Sequence, residues 1–338
     1  MKAKYRNLFL LFGIVAIAVM LLTFDMPYDE LWSNIRRAGY WFPAIIVLWG
    51  FIYMINAWAW SQIINDGCAG TKVPYWRVYK FTITGFALNY TTPVGLMGGE
   101  PYRIMELTPY VGVQKATSSV ILYVMTHIFS HFCFWLFSVV LFVALYFSRL
   151  NMVSSIVLAI IAAACVLAIY FFSRGYRNGL ARKGIRLLTH IPFLRRRANR
   201  LLDEQGENLD KIDSQIAQLH SQRPATFYGA IFLEFMGRVV NALEIYFILM
   251  ILTSSVSFLD CVLILAFSSL FANILFFFPM QLGAREGGLA IIVDSLNMKG
   301  AYGVYTGLIT RVRELIWIVI GIALMKFGNT NVDKRNNI

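Results

Sequence analysis

Arginine and glutamate recur in this sequence at helical spacing inside runs that are otherwise apolar, so any chemistry is to be sought there first. In F-L-E-F-M-G-R-V-V-N-A-L-E, Glu234, Arg238 and Asn241 fall at i, i+4 and i+7 and share one helix face, with Glu244 close to it. Further on, Arg311 and Glu314 share a face at i, i+3, with Arg313 beside them. Two segments broken by Pro and Gly carry the remaining charges: Glu100 with Arg103, and Arg285 with Glu286. A charge held in hydrocarbon costs at least a few kcal/mol, so such side chains face the interior of a helical bundle and pair, or line a path for a polar group. The planar fork of Arg matches phosphate, and Gly-rich breaks add backbone N–H groups and helix N-termini that attract anions. Arg103, Arg285 and Arg311 are therefore expected to bind a phosphate within the membrane. Glu100, Glu286, Glu234 and Glu314 are expected to position those arginines or to carry coupling protons. Glu234 and Arg238 also have the spacing to pair with each other and pin helices together. His127 and His131, at i, i+4, are expected to make hydrogen bonds in the core; metal binding is not expected, because no acidic third ligand is near in sequence.

These residues need helices that cross a bilayer. Hydrophobic residues make up 58% of the chain and charged ones 14%, well below the quarter or so usual for soluble domains. Residues 8–24, 41–64, 118–147, 152–173, 225–252 and 303–325 form runs long enough to span about 30 Å of hydrocarbon. The first run follows Lys2, Lys4 and Arg6 and leads into Asp25-Met26-Pro27, not a small-residue cleavage site, so it is expected to stay as a helix. The net charge of +12 would suggest nucleic acid for a soluble protein, but here its placement explains it. The segment 174–223 holds 11 Lys/Arg against 5 Asp/Glu. With that loop and both termini in the cytoplasm, every basic cluster falls on the cytoplasmic face. The expected location is thus a bacterial cytoplasmic (inner) membrane.

Two stretches are left over, 81–114 and 257–300. Each starts apolar, breaks at Pro and Gly, then carries charge, and neither can be one spanning helix without reversing all that comes after it. Both are expected to be re-entrant hairpins. Their breaks are alike: P-V-G-L-M-G-G-E from Pro93 through Gly98 and Gly99 to Glu100, and P-M-Q-L-G-A-R-E from Pro279 through Gly283 to Glu286. One constant offset carries Pro93 onto Pro279, Leu96 onto Leu282 and Glu100 onto Glu286. The same offset carries the run at 41–64 onto that at 225–252, and the start at 118 onto that near 303. The expectation is an all-α polytopic protein with about six spanning helices and two hairpins in an inverted-topology repeat. The first copy covers 41–147 and the second 225–327, and the basic loop 174–223 joins them. Within that loop Leu202, Leu209, Ile212, Ile216 and Leu219 fall near one face behind Arg195-Arg196-Arg197 and Arg200. That suits an amphipathic helix at an anionic inner leaflet, or a linker that only sets topology.

Cys68, Cys133, Cys165 and Cys261 show no metal spacing and are expected to be small core residues. The sequence has no G-x-S-x-G, Walker A or H-E-x-x-H motif, so no enzyme activity, cofactor or metal is expected.

The segment Pro93–Arg103 resembles the P-x-G-x-G-G-E-x-x-R element of the lysylphosphatidylglycerol synthase transmembrane region, also called the flippase-like or UPF0104 family. Phe278–Gly288 is similar to that family's P-x-x-x-G-x-R-E-G element, and Arg311 to Glu314 to its late helix. Met97 departs from the pattern, standing where the family tends to have a smaller residue. The resemblance implies a membrane region that flips an aminoacylated phospholipid between leaflets. The synthase activity resides in a separate soluble domain for which this chain is expected to have no room. The resemblance thus leads to the expectation of a translocase for an anionic or phosphate-bearing lipid, aminoacylated or polyprenyl, with membrane lipids as partners. Rival expectations are a scaffold for a glycosyltransferase or lipid-modifying enzyme, acting through 174–223, and a membrane enzyme that modifies lipid headgroups.

Overall fold

The computed structural model describes residues 36–66, 72–91, 98–178, scattered positions between 186 and 214, and residues 224–253, 256–274 and 284–326. The expected first helix, Pro93, Pro279, Gly283, Cys68 and most of the amphipathic face in the loop lie outside the described residues. Among the described residues every regular element is helical. They are α1 (Trp41–Asn65), α2 (Tyr75–Thr91), α3 (Gly99–Tyr146), a 3-10 turn (Phe147–Arg149), α4 (Met152–Asn178), α5 (Pro224–Leu252), α6 (Phe258–Ile274), α7 (Ala284–Ser295) and α8 (Gly300–Lys326).

Four of these helices are long and apolar enough to cross a membrane: α1, α3, α4 over Met152–Arg174, and α5. The chain is a multi-pass membrane protein. The expected span at 303–325 is present as α8, but Arg311, Arg313 and Glu314 make it too charged to qualify on apolarity alone. At 1.5 Å per residue α7 is about 18 Å long, too short to cross, and α2 and α6 reach about 25 Å.

The stretch expected as a hairpin at 81–114 holds α2 and the first arm of α3, and at its end the chain passes through a kink directly into the spanning arm of α3. The join is a kink with two causes. Pro109 has no N–H for the helical ladder, and three residues later Gly112 leaves helical geometry at φ 78°, ψ 160°. A residue with a Cβ is strained at that φ.

Helix packing repeats in the same sense as helix spacing. Moved by the offset that carries Glu100 onto Glu286, α1, α2 and the arm 99–111 of α3 fall within a few residues of α5, α6 and α7, and the long arm 113–146 falls on α8. Helix α1 packs on α5; α2 packs on α8 while α6 packs on α3, the same contact with the halves exchanged. Helix α4 lies outside this arrangement, touching α3 and presenting Ile156, Ile160, Leu167 and Phe171 outward.

Polar residues inside the bundle are satisfied locally where they can be. The hydroxyls of Thr82, Thr126, Ser138 and Thr310 donate to backbone carbonyls three or four residues earlier, so they add no unpaired group to the core. Lys115 Nζ donates to the Asp66 carbonyl at 2.9 Å, capping the C-terminal end of α1.

Candidate functional site

Where α2 crosses the start of α3, Gly85 meets Gly99 so closely that a Cβ on Gly99 would overlap the Gly85 backbone. That approach lets Asn89 of α2 reach the helix end. Its Oδ1 accepts from the Gly99 amide at 2.6 Å, and its Nδ2 donates to Glu100 Oε1 at 3.0 Å. The first free N–H of α3, which sequence reasoning offered to an anion, is thus held by a side chain of the protein. Glu100 Oε1 also accepts from Arg103 at 3.2 Å. Arg103 is 1% exposed, and its guanidinium lies 4.9 Å from the ring of Phe86, 5.4 Å from Tyr123 and 5.7 Å from Trp60. Its Nε, the Trp60 Nε1 and the Tyr123 hydroxyl are buried donors without a hydrogen-bond partner among the described residues. An Arg this deep, caged by rings and paired with a carboxylate, is stabilised by cation–π contact as well as charge.

The same rings lead to a second cluster. Tyr123 and Phe86 lie 6.3 and 6.1 Å from His127. His127 Nδ1 is hydrogen-bonded to Glu234 Oε2 at 2.7 Å, and Glu234 itself is 1% exposed. The expected Glu234–Arg238 pair is therefore not what forms. Arg238 turns to α3, donating to Ser130 Oγ at 3.0 Å and to the His127 carbonyl at 2.8 Å. The reason is geometric: an i, i+4 pair lies on the helix surface, and here that surface is covered by α3, whose polar atoms are nearer. His127 is a site residue assigned above only to core hydrogen bonding. Its signal was present in its i, i+4 spacing with His131, but its carboxylate partner sits more than a hundred positions away.

A third cluster binds α8 to α5 and α1. Arg313 donates to both oxygens of Glu244, Nε to Oε1 at 2.8 Å and an Nη to Oε2 at 3.0 Å. Trp49 Nε1 adds a bond to Glu244 at 2.8 Å, and the Trp49 ring lies 3.7 Å under the Arg313 guanidinium. Arg311 and Glu314 pair as their spacing predicts, at 3.4 Å, and Glu314 also approaches Arg313 at 3.8 Å. Neither Arg313 nor Glu244 was given a phosphate-binding role above, though together they form a buried bidentate pair. Tyr53, packed on Trp49, Phe86 and Trp317, joins this cluster to the other two.

The remaining candidates are placed by their backbone only. Arg285 and Glu286 form the first turn of α7, and Gly98 precedes α3. The three clusters hold four carboxylates, Glu100, Glu234, Glu244 and Glu314, against four guanidiniums, Arg103, Arg238, Arg311 and Arg313, so their formal charges cancel.

Comparison with known proteins agrees with this architecture. The profile of the family described as "Lysylphosphatidylglycerol synthase TM region" matches residues 9–322. A "UPF0104 membrane protein" of Methanothermobacter thermautotrophicus is 23% identical over 335 residues, covering 96% of this chain and 95% of that protein. No solved structure matches the chain.

Proposed function

Because the chain belongs to the lysylphosphatidylglycerol synthase transmembrane-region family, we propose that it moves a phosphate-bearing lipid between the leaflets of a cytoplasmic membrane. The observation that carries this reading is the cluster of buried Arg103, Arg311, Arg313, Glu234, Glu244 and Glu314 set between short, broken helices. A purely structural bundle has little reason to hold four guanidiniums at membrane depth, where each is costly, whereas a path for a lipid headgroup needs them. The constant offset between the halves and the exchanged packing of α2 on α8 and α6 on α3 support an inverted repeat, the architecture on which alternating access commonly rests.

In this reading Arg103, Arg285 and Arg311 hold the lipid phosphate, as bidentate donors suited to its oxygens. The enclosed position of Arg103 describes a closed state, and a headgroup reaches it when the start of α3 parts from α2. Arg311, on α8, has the more open side chain of the two at 10% against 2%. No covalent chemistry is part of the proposal. Both termini and residues 174–223 are cytoplasmic in it, the basic loop resting on anionic headgroups.

The test is transfer of a fluorescent phosphatidylglycerol in proteoliposomes, read by quenching of the outer leaflet. The full chain should exceed protein-free vesicles, and Arg311→Lys should slow transfer while the protein still folds. Transfer at the protein-free rate overturns the proposal. A new lipid species found by mass spectrometry would indicate a lipid-modifying enzyme instead.

A further inference from the structure

We infer that Glu234 and His127, with His131 behind them, form a protonation site whose proton uptake accompanies entry of the anionic headgroup. The inference rests on the transport reading for the identity of the anion, but the site itself stands on geometry. Glu234 is shut in at 1% exposure, and its Oε1 has no hydrogen-bond partner among the described residues. Its other oxygen bonds to an imidazole whose side chain is 27% open. His127 is therefore the port through which a proton reaches or leaves the buried carboxylate. His131 stands one turn on, its ring 5.4 Å from that of His127 and edge-on to it, with a buried Nδ1 that lacks a partner. A buried carboxylate, a partly open imidazole and a second imidazole with one unpaired ring nitrogen among the described residues, in sequence, are the components of a proton relay, and ionisable groups at membrane depth mark such relays.

The surroundings set the direction of coupling. On α5 the pair faces Arg238, whose guanidinium bonds the His127 carbonyl and Ser130, and Asn241 one turn beyond it. On α3 it faces Tyr123, Cys133 and, past the Tyr123 ring, Arg103 with Glu100. Helix α1 brings Asn56 to Gly237 and Gln62 to Gly229, α2 brings Phe86, α4 brings Cys165, and α8 holds Arg313 on Glu244. Asp260 of α6 is held at the far end by the Tyr146 hydroxyl. Glu106, 6% exposed, adds a further carboxylate on the first arm of α3. A proton added at Glu234 or His127 raises the charge of this band by one in a medium that penalises uncompensated charge. A phosphate monoanion entering beside it offsets that added charge. Proton and anion thus favour each other's binding, and the coupling is reciprocal.

The experiment uses the full chain in phosphatidylcholine vesicles and infrared difference spectra recorded on stepwise acidification. A protonated-carboxyl band should grow on acidification with a one-proton midpoint and be absent in Glu234→Gln. Replacing part of the lipid by phosphatidylglycerol, in about 1 M KCl to collapse the surface potential, should raise the apparent proton affinity of that band about tenfold. His131→Gln keeps the Glu234–His127 bond and should displace the midpoint, which keeps the test decisive where Glu234→Gln does not fold. A spectrum without a Glu234-dependent band, or a midpoint indifferent to phosphatidylglycerol, overturns the inference. A titrating, lipid-responsive Glu234 in a protein that transfers no lipid overturns the transport reading alone. Lipid transfer that is independent of pH, with Glu234 silent, overturns the proton site alone.

Discussion

Arg313 and Glu244 show how a charge survives at membrane depth. Each guanidinium N–H of the bidentate pair has a carboxylate oxygen, the Trp49 indole completes the second oxygen, and the Trp49 ring covers the cation's face. Breaking such an arrangement from one side leaves the other charge uncompensated. Glu244→Gln should cost about 3–5 kcal/mol, read as a lowered midpoint of thermal unfolding in detergent. Glu234→Gln should cost less, because its partner is an imidazole that can stay neutral when the carboxylate is gone. Equal loss in the two variants would show that Glu234 is also held by a fixed charge. The residue pattern exposed Glu244 as nearly in line with Glu234 and Arg238, but a helical wheel does not say which neighbour covers which part of the face.

At the scale of elements, the crossing of α2 and α3 depends on two residues that lack a side chain. Gly99→Ala places a methyl on the backbone of Gly85, which cannot yield as a side chain could. The helices must separate, with loss of the Asn89 bonds and of the Arg103 enclosure. A loss of about 1–3 kcal/mol in unfolding stability is expected, together with reduced lipid transfer. Gly50→Ala is the matched control. Its Cβ would meet Trp317 and Tyr79 at 3.6–3.7 Å, ordinary contact, and Ala is the better helix former by about 1 kcal/mol. That variant should be as stable as the unaltered protein or more so, and a loss as large as that of Gly99→Ala would show that the crossing is not special. Gly98-Gly99 was legible in the sequence as a break. Its use as a contact was not, because the partner glycine lies on another helix.

For the molecule as a whole, the proposed inverted repeat makes a statement about sides. A cysteine placed at Arg196 should react with an impermeant maleimide only after the membrane is opened, and one placed at Lys299, before α8, should react from outside in intact cells. These tests use a chain whose own cysteines have been replaced. Labelling of both positions from the same side removes the inverted relation, whatever the packing of α2 and α6 suggests. The offset between the halves already stands in the sequence as Pro, Leu and Glu at matching places, and the helices α1, α2, α5, α6, α7 and α8 keep to it. The join of the first hairpin to the next span did not come from it. Pro109 and Gly112 read as helix breakers, yet the chain passes through them with a kink, since packing on α2 below and on α5 and α6 above holds both arms in place.

The sequence by itself determined the class of molecule and the family. Apolar runs must leave water, charges within them must be buried together, and paired breaks at fixed spacing persist in any fold that keeps them. It also determined the local pair Arg311–Glu314, because residues three apart on a helix are neighbours in every environment. The tertiary structure decided which distant partners meet. Glu234 chose His127 over Arg238, Glu244 took Arg313, and Asn89 took the helix end expected to await an anion. In each case several partners are permitted by residue type, and the choice falls to whichever helix packs close enough to replace water at a few ångströms. That distance is set by small residues and rings on the crossing faces, not by the charged residues themselves.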